Sequence, residues 1–305
     1  MENFSITILG SGSAIPTAGR NTSSQLVNFY HRYYLIDCGE GTQVQLRKKH
    51  IKINKINHIF ISHLHGDHFF GLVGLISTFN LFGRKKELHI YSDLRIKEII
   101  DLQLKVSETE LQFIIVYHPL NYQEKELLFE DKKLEIYSFP LQHRVPTCGF
   151  LFKEKKASLK IKKEMIERYK LSIEQIKKIR NGEDLKINSQ QIPNKVLTYE
   201  PKPPRSYAYC SDTQYSKNLY GFFQDVDLLY TECTFMQDMQ EQAEIKYHLS
   251  TADASRIAKE SNCKKLLVGH LSARYKDTGQ FEKELKALYA ESNIVNDLEE
   301  YHVRD

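Results

Sequence analysis

No apolar run in the 305 residues approaches the roughly 18 to 20 needed to cross a bilayer, which excludes a helical membrane span. The N-terminal Met1-Glu-Asn-Phe4 lacks the basic-then-apolar order of a secretory signal, so the expected compartment is the cytoplasm. Cysteine is scarce: Cys38, Cys148, Cys210, Cys233 and Cys263 are widely spaced and never form C-x-x-C. An odd count at such spacing argues against a disulfide framework and against a thiolate zinc site, and leaves these residues as small buried hydrophobes. A dinucleotide fingerprint is also missing. Gly10-Ser-Gly12-Ser has no third glycine, and Ser23 to Phe29 then alternates like a strand instead of opening a helix. Net charge is small, +4, too little by itself to announce a polyanionic partner.

With 41% hydrophobic residues the chain can bury a sizeable core, as one large α/β domain or two small ones. Its charge is unevenly placed. Between Lys153 and Arg180 stand eleven Lys or Arg against four Glu, leaving 32 basic against 35 acidic residues elsewhere. The whole positive excess therefore sits in one segment. From about Lys153 to Pro203 the pattern is a lysine-rich helical stretch with few apolar residues, an Asn181-Gly182 turn and a cluster of Pro201, Pro203 and Pro204. This composition is that of an exposed, inserted arm, because strand-like alternation resumes at Ser206.

The densest chemistry lies in Ile59-Phe-Ile-Ser-His63-Leu-His65-Gly-Asp67-His68-Phe-Phe-Gly71. An apolar strand runs into a turn carrying three histidines and an aspartate, with Gly66 and Gly71 expected at tight bends. Neutral imidazole and carboxylate are the ligands that borderline divalent ions such as zinc prefer. Four such groups exceed what one tetrahedral ion with an open position needs, so the crowding points to two adjacent metals. Other strands end in further candidates: His143 after Leu134 to Phe139, Asp212 after Ser206 to Ser211, Glu232 closing Leu228 to Glu232, and His270 closing Lys265 to His270. Asp37, after Tyr33 to Ile36, is placed to support a ligating histidine. Five strands finishing in His63, His143, Asp212, Glu232 and His270 point to one site on the edge of a layered sheet structure. Ser250, two residues after His248, is expected to cap the helix that runs to Glu260.

These residues resemble the metallo-β-lactamase superfamily and, within it, the short-form tRNase Z (ribonuclease Z) family, over essentially the whole length. The shared motifs are His63-x-His65-x-Asp67-His68, Asp37-Cys-Gly-Glu-Gly-Thr42, the segment around Glu232, His248 with Ser250-Thr251-Ala252, and His270-Leu-Ser-Ala-Arg274-Tyr275. There are departures. Pro16-Thr-Ala18-Gly-Arg20-Asn21 lacks the family's lysine, Ser211 stands for the glycine of Gly-Asp-Thr, Thr231 and Cys233 flank Glu232 where the family has His and Ala, and no Gly-Pro pair occurs around Ile173 to Arg180.

The resemblance implies an α/β fold of the metallo-β-lactamase type, an αββα four-layer sandwich of two mixed sheets. It implies a single domain spanning 1–305, with residues 153–203 as an inserted basic arm that binds tRNA. It implies two Zn2+, one on His63, His65 and His143, the other on Asp67, His68 and His270, with Asp212 bridging. The expected activity is that of a zinc-dependent endoribonuclease removing the 3′ trailer from tRNA precursors. A metal-activated hydroxide attacks a phosphodiester, leaving a 3′-OH on the tRNA and a 5′-phosphate on the trailer. Asp67 would take the hydroxide's proton, His248 paired with Glu232 would protonate the leaving oxygen, and Arg274 would grip a phosphate. Lys160, Lys162, Lys163, Lys177, Lys178 and Arg180 would meet tRNA phosphates away from the cut, and a homodimer is implied. Two rivals remain: a two-zinc hydrolase of a small phosphodiester or ester, which does not require the arm, and a non-catalytic RNA-binding relative, from which ligands are usually lost.

Overall fold

The computed structural model describes residues 4–187 and 190–304. Met1 to Asn3, Asn188 and Ser189 in the lysine-rich segment, and Asp305 lie outside them. The chain divides into two compact units, one running up to Leu128 and taking in Ile136–Phe152 and everything from Ser206 on, the other made of Phe129–Glu135 and Lys153–Arg205.

The first unit is built on two seven-stranded sheets. In one the strand order is Glu300–His302, Phe4–Gly10, Ser24–Phe29, Arg32–Ile36, Ile56–Phe60, Leu88–Ser92 and Ile115–Pro119; in the other it is Ser292–Ile294, Lys265–Gly269, Leu228–Glu232, Ser206–Cys210, Thr147–Glu154, Leu134–Leu141 and Glu126–Glu130. The first sheet is antiparallel up to Arg32–Ile36 and parallel from there on. Within the second, Ser206–Cys210, Leu228–Glu232, Lys265–Gly269 and Ser292–Ile294 are parallel.

Period-two alternation sorts the side chains into layers. Along Ser206–Cys210, Tyr207 and Tyr209 turn toward the other sheet, where their hydroxyls donate to Gln25 and Asp37, while Ala208 and Cys210 join the core under the helices. Aromatic rings fill the space between the sheets: Phe60 lies 5.4 Å from Phe150 and Tyr34 5.9 Å from Phe152, centroid to centroid. Helices Thr42–Lys48, Leu72–Leu81 and Arg95–Val106 cover one outer face through Leu46, Leu75, Phe79, Ile96 and Ile100. Thr251–Glu260 and Gly279–Leu288 cover the other through Ala254, Ile257, Phe281 and Leu285. Each large aliphatic or aromatic side chain so buried contributes about 1.5–3 kcal/mol. All five cysteines are free and buried, and burial pushes the Cys38 thiol up to about 12, which leaves it an inert packing group.

Four strands of the two sheets pass unnoticed in the sequence, the three-residue Ser292–Ile294 and Glu300–His302 and two longer ones. Thr147–Glu154 is buried over its first six residues, and such a strand, covered on both faces, shows no polar alternation. Glu126–Glu130 is charged at both ends and exposed or half-exposed throughout, which in sequence looks like loop.

In the second unit the lysine-rich stretch, expected to be exposed and with few apolar residues, has a small core. Leu171, Ile179, Leu185 and Leu197 form a buried core of their own, with Ile161, Met165, Ile166, Tyr169 and Ile176 against it. The spacing of Ile166, Tyr169, Ile176 and Ile179 puts them on the inner faces of helices Lys163–Tyr169 and Ile173–Arg180. Ser172 starts the second of these helices with a reciprocal capping box to Gln175. Two small antiparallel ribbons, Lys160–Ile161 with Thr198–Tyr199 and Leu185–Ile187 with Gln190–Ile192, close this unit.

Candidate metal centre

The parallel strands of the two sheets end at the positions that carry the chemistry, as expected for a site built at carboxyl ends of strands. After Ile56–Phe60 the chain enters an extended link and then a helical turn, Gly66–Phe69. Gly66 and Gly71 are not there to bend it, since neither has a positive φ. They permit close approach: a Cβ on Gly66 would sit 2.2 Å from the Phe70 ring, and one on Gly71 would sit 2.2 Å from the Gly39 carbonyl oxygen. The Asp37-Cys-Gly segment docks there, with the Cys38 N–H donating to the His68 carbonyl (2.7 Å) and the Gly71 N–H to the Cys38 carbonyl (2.9 Å).

The seven expected ligands converge in two sets that share Asp212. One ligand atom from each of His63, His65, His143 and Asp212 lies within 4.8 Å of the others, and the same holds for Asp67, His68 and His270. His65 Nδ1 is 3.1 Å from His63 Nε2 and 3.2 Å from His143 Nε2. Asp212 turns its Oδ2 to this set, 3.8 Å from His63 Nε2 and 3.9 Å from His143 Nε2. Its Oδ1 faces the second set, 3.4 Å from His68 Nε2 and 3.3 Å from His270 Nε2. Asp67 Oδ2 completes that set at 3.6 Å from His68 Nε2 and 3.4 Å from His270 Nε2.

These donors fit metal ions. His68 Nε2 and Asp212 Oδ1 are buried and have no hydrogen-bond partner among the described residues, a costly arrangement unless a cation lies between them. Burial holds His63, His65 and His143 below the ordinary histidine range, so their lone pairs are free at neutral pH. Burial works against the charges of Asp67 and Asp212 as well, but the surrounding His68 and His270 hold both carboxyls below the usual range, and Asp212, Asp67 and Asp37 in turn raise His68 against its burial, so that His68 gives up a proton when a metal binds.

In His63, His68, His143 and His270 the outer nitrogen, Nδ1, is fixed by a partner that leaves Nε2 facing inward, whereas His65 turns Nδ1 to the cluster. Asp37, an acceptor only, takes the Nδ1–H of His68 (2.8 Å) together with the Ser62 N–H, the Ser62 hydroxyl and the Tyr209 hydroxyl. The Ser62 oxygen in turn accepts from His63 Nδ1 (3.0 Å). The Tyr247 carbonyl accepts from His143 Nδ1 (2.9 Å). Thr234 Oγ1 accepts from His270 Nδ1 (3.1 Å) and donates to Glu232 Oε2 (2.8 Å). Asp37 and His270 both have positive φ, 53° and 59°, a conformation that non-glycine residues keep only where their surroundings enforce it. Asp37→Asn would replace one of the two acceptor oxygens by a donor and should weaken binding of a divalent metal about 10–100-fold, measured by equilibrium dialysis.

Glu232 gathers five donors, the N–H groups of Thr213, Thr234 and Leu249, the Thr234 hydroxyl and His248 Nδ1, the last at 2.8 Å from Oε1. Burial disfavours charge on His248, but Glu232 outweighs it and raises the imidazole to about 9. A ring nitrogen of His248 lies within 4.8 Å of donor atoms on Asp212 and His270, so this imidazole borders the cluster. The next residues are held by a capping box, Ser250 with Asp253, at the head of Thr251–Glu260.

Arg274 is placed differently. Its guanidinium is exposed, lies 5.0 Å over the Phe235 ring and donates to Ser272 and Met239. It makes no ion pair among the described residues. Phe235 also contacts the His248 ring, with 6.3 Å between centroids, so Arg274 stands one ring away from the cluster. In the second unit, Lys160, Lys163, Lys177 and Arg180 are exposed and without ion pairs among the described residues, whereas Lys178 pairs with Glu174 (3.0 Å) and Lys162 donates to the Val196 carbonyl (2.9 Å). Ser62, Thr234 and the Tyr247 carbonyl are the supports that sequence reading missed; the only signal for the two hydroxyls is their position one or two residues from His63 and Glu232.

Two facing sheets between helices, with a histidine and aspartate cluster at the strand ends, define a metallo-β-lactamase-fold metalloprotein. The fold is shared with the metallo-β-lactamase fold protein YhfI from Bacillus subtilis (18% identity, TM-score 0.69, 99% of each chain covered). Residues 4–170 match the family model described as Anti-Pycsar protein Apyc1, a stretch that ends before Asp212. Ribonuclease Z of Bacteroides fragilis is 42% identical over 97% of this chain and 98% of its own. Human tRNase Z, short form, is similar in structure, with TM-score 0.72 and 25% identity over 99% of this chain and 100% of its own. The chain belongs to the ribonuclease Z family, and its first half also fits the Apyc1 model.

Proposed function

We propose that this chain is a metal-dependent endoribonuclease that cuts the 3′ trailer from tRNA precursors, leaving a 3′-OH on the tRNA and a 5′-phosphate on the trailer. The observation that carries the reading is the pair of donor sets that Asp212 faces with its two oxygens, bordered by His248 hydrogen-bonded to Glu232, in a chain whose relatives are named Ribonuclease Z over nearly their full length. Two Zn2+ would be held, one by His63, His65 and His143, the other by Asp67, His68 and His270, with Asp212 common to both. Such ions lower the pKa of water toward about 7 and offset the negative charge of a phosphodiester.

The remaining work falls to side chains. Asp67, kept ionised, accepts a hydrogen bond from the attacking water and orients it in line with the scissile bond. With Nδ1–H engaged by Glu232 Oε1, His248 has Nε2–H left to give its proton to the departing 3′-oxygen. Glu232 keeps that imidazole charged and, through Thr234, sets the ring of His270. Arg274 offers an unpaired guanidinium to a neighbouring phosphate. Lys160, Lys162, Lys163, Lys177, Lys178 and Arg180 supply charge for the tRNA backbone, read by shape rather than by base. The resemblance extends the proposal to a homodimer working in the cytoplasm, which sedimentation and cell fractionation test.

Replacing Lys160, Lys163, Lys177 and Arg180 by glutamine should raise KM for a precursor tRNA and flatten its salt dependence, by up to about one unit of slope per lost contact. Hydrolysis of bis(p-nitrophenyl) phosphate should stay as in the parent; equal loss of both activities would count against a separate role for this segment. The activity itself is tested by comparing kcat/KM for a trailer-bearing precursor with that for small phosphodiesters. The precursor is the preferred substrate. A protein that hydrolyses only the small diesters belongs to the alternative, a two-zinc hydrolase of small substrates.

A further inference from the structure

Asp297 lies far from the cluster in sequence, in the turn before the strand Glu300–His302, yet its carboxylate accepts five hydrogen bonds. Oδ1 takes the Ser11 N–H (3.0 Å) and the Ser11 hydroxyl (2.7 Å). Oδ2 takes the Asn21 N–H (2.7 Å), the Asn21 side-chain amide (2.8 Å) and Gln45 Nε2 (3.2 Å). Four of the five come from the two ends of the loop Ser11 to Asn21. Arg20 fastens the same loop to this region, donating from Nη1 to the Ser11 hydroxyl and the Val295 carbonyl, each at 2.7 Å, and from Nη2 to Asn296 (2.9 Å).

The tethered loop touches the metal cluster at two points. The Ser11 carbonyl accepts the backbone N–H of His270 (2.8 Å), the residue held at φ 59°. The Ala14 N–H donates to Asp67 Oδ2 (2.8 Å). Both contacts fall on the Asp67, His68 and His270 set. His63, His65 and His143 receive no hydrogen bond from this loop among the described residues. A carboxylate with five donors is a rigid anchor, and a left-handed histidine persists only where its neighbours fix it. Freed from Asp297, the loop would let both ligands drift.

We infer that Asp297 is a positioning residue for the Asp67, His68 and His270 half of the metal centre, acting through the Ser11 carbonyl and the Ala14 N–H. The inference rests on the two-metal reading given above. Its test is zinc bound per chain as a competing chelator is raised, in the parent, in Asp297→Asn and in Glu300→Gln. The last removes the carboxylate that accepts from Ser5 Oγ in the adjoining strand and that, among the described residues, makes no hydrogen bond to the loop Ser11 to Asn21 or to the cluster. Asp297→Asn, which sets an amide group against N–H donors, should bind one of the two zinc ions about 10–100-fold more weakly and the other as the parent does. Glu300→Gln should bind both as the parent does.

Two ions held as tightly as in the parent by Asp297→Asn, or both weakened alike, would overturn the inference. If Asp297→Asn does not fold, Ser11→Ala removes one of the contacts on Oδ1 and should loosen the same single ion severalfold; unchanged binding there overturns the inference too. A parent that takes up fewer than two zinc ions removes the two-metal reading itself and this inference with it, a result visible before any variant is compared.

Discussion

His248→Ala should slow cleavage of a tRNA precursor by about 10²–10⁴-fold, the range for loss of a general acid, while hydrolysis of bis(p-nitrophenyl) phosphate falls far less. The two substrates differ in their leaving groups. A ribose 3′-oxygen is a poor anion and needs a proton as the bond breaks; p-nitrophenolate leaves as a stable anion and needs none. His248 is equipped for that donation because Glu232 holds its Nδ1 at 2.8 Å and keeps the ring charged. Glu232→Gln should show the same split in milder form, since the amide cannot stabilise the imidazolium as a carboxylate does. Single-turnover rates on both substrates measure the split. Equal losses on both would assign His248 to the metal centre, a placement its nearness to Asp212 and His270 also permits.

Asp212→Asn should be more severe and should not discriminate. Its two oxygens face different donor sets, Oδ2 toward His63 and His143 and Oδ1 toward His68 and His270, so one substitution disturbs both. Zinc per chain should fall below two, and activity on the precursor and on the small diester should drop together by more than about 100-fold, the upper end of what a supporting residue costs. Metal analysis beside the two assays checks this. Two zinc ions retained with near-normal rates would show that Asp212 is not a shared ligand.

Sequence pattern carried the skeleton of the site because its ligands follow apolar strands and are of types that seldom occur together by chance. His63 to His68, His143, Asp212 and His270 could each be placed at a strand end, and the structure draws them into one cluster. Asp37 could be guessed as the support of a histidine, though not that the histidine is His68. What pattern could not carry is whatever depends on backbone atoms or on partners distant in sequence. The Tyr247 carbonyl leaves no trace in side-chain identity. Asp297 meets Ser11 across 286 positions. The core under the lysine-rich helices was hidden because Leu171, Ile179, Leu185 and Leu197 are thinly spread among charges and meet only after the segment folds back. In sequence Gly66 and Gly71 suggest bends, whereas contact with Phe70 and Gly39 is what requires them. Glycine in sequence does not say which of its two uses applies.

The central claim is that the cluster is a two-metal centre for cutting tRNA precursors. Its most direct test is cleavage of a trailer-bearing precursor followed as zinc is titrated into metal-free protein from none to two ions per chain. Trimmed tRNA with a 3′-OH and a trailer with a 5′-phosphate should appear as the second ion is bound. Intact precursor at two zinc ions per chain would contradict the account.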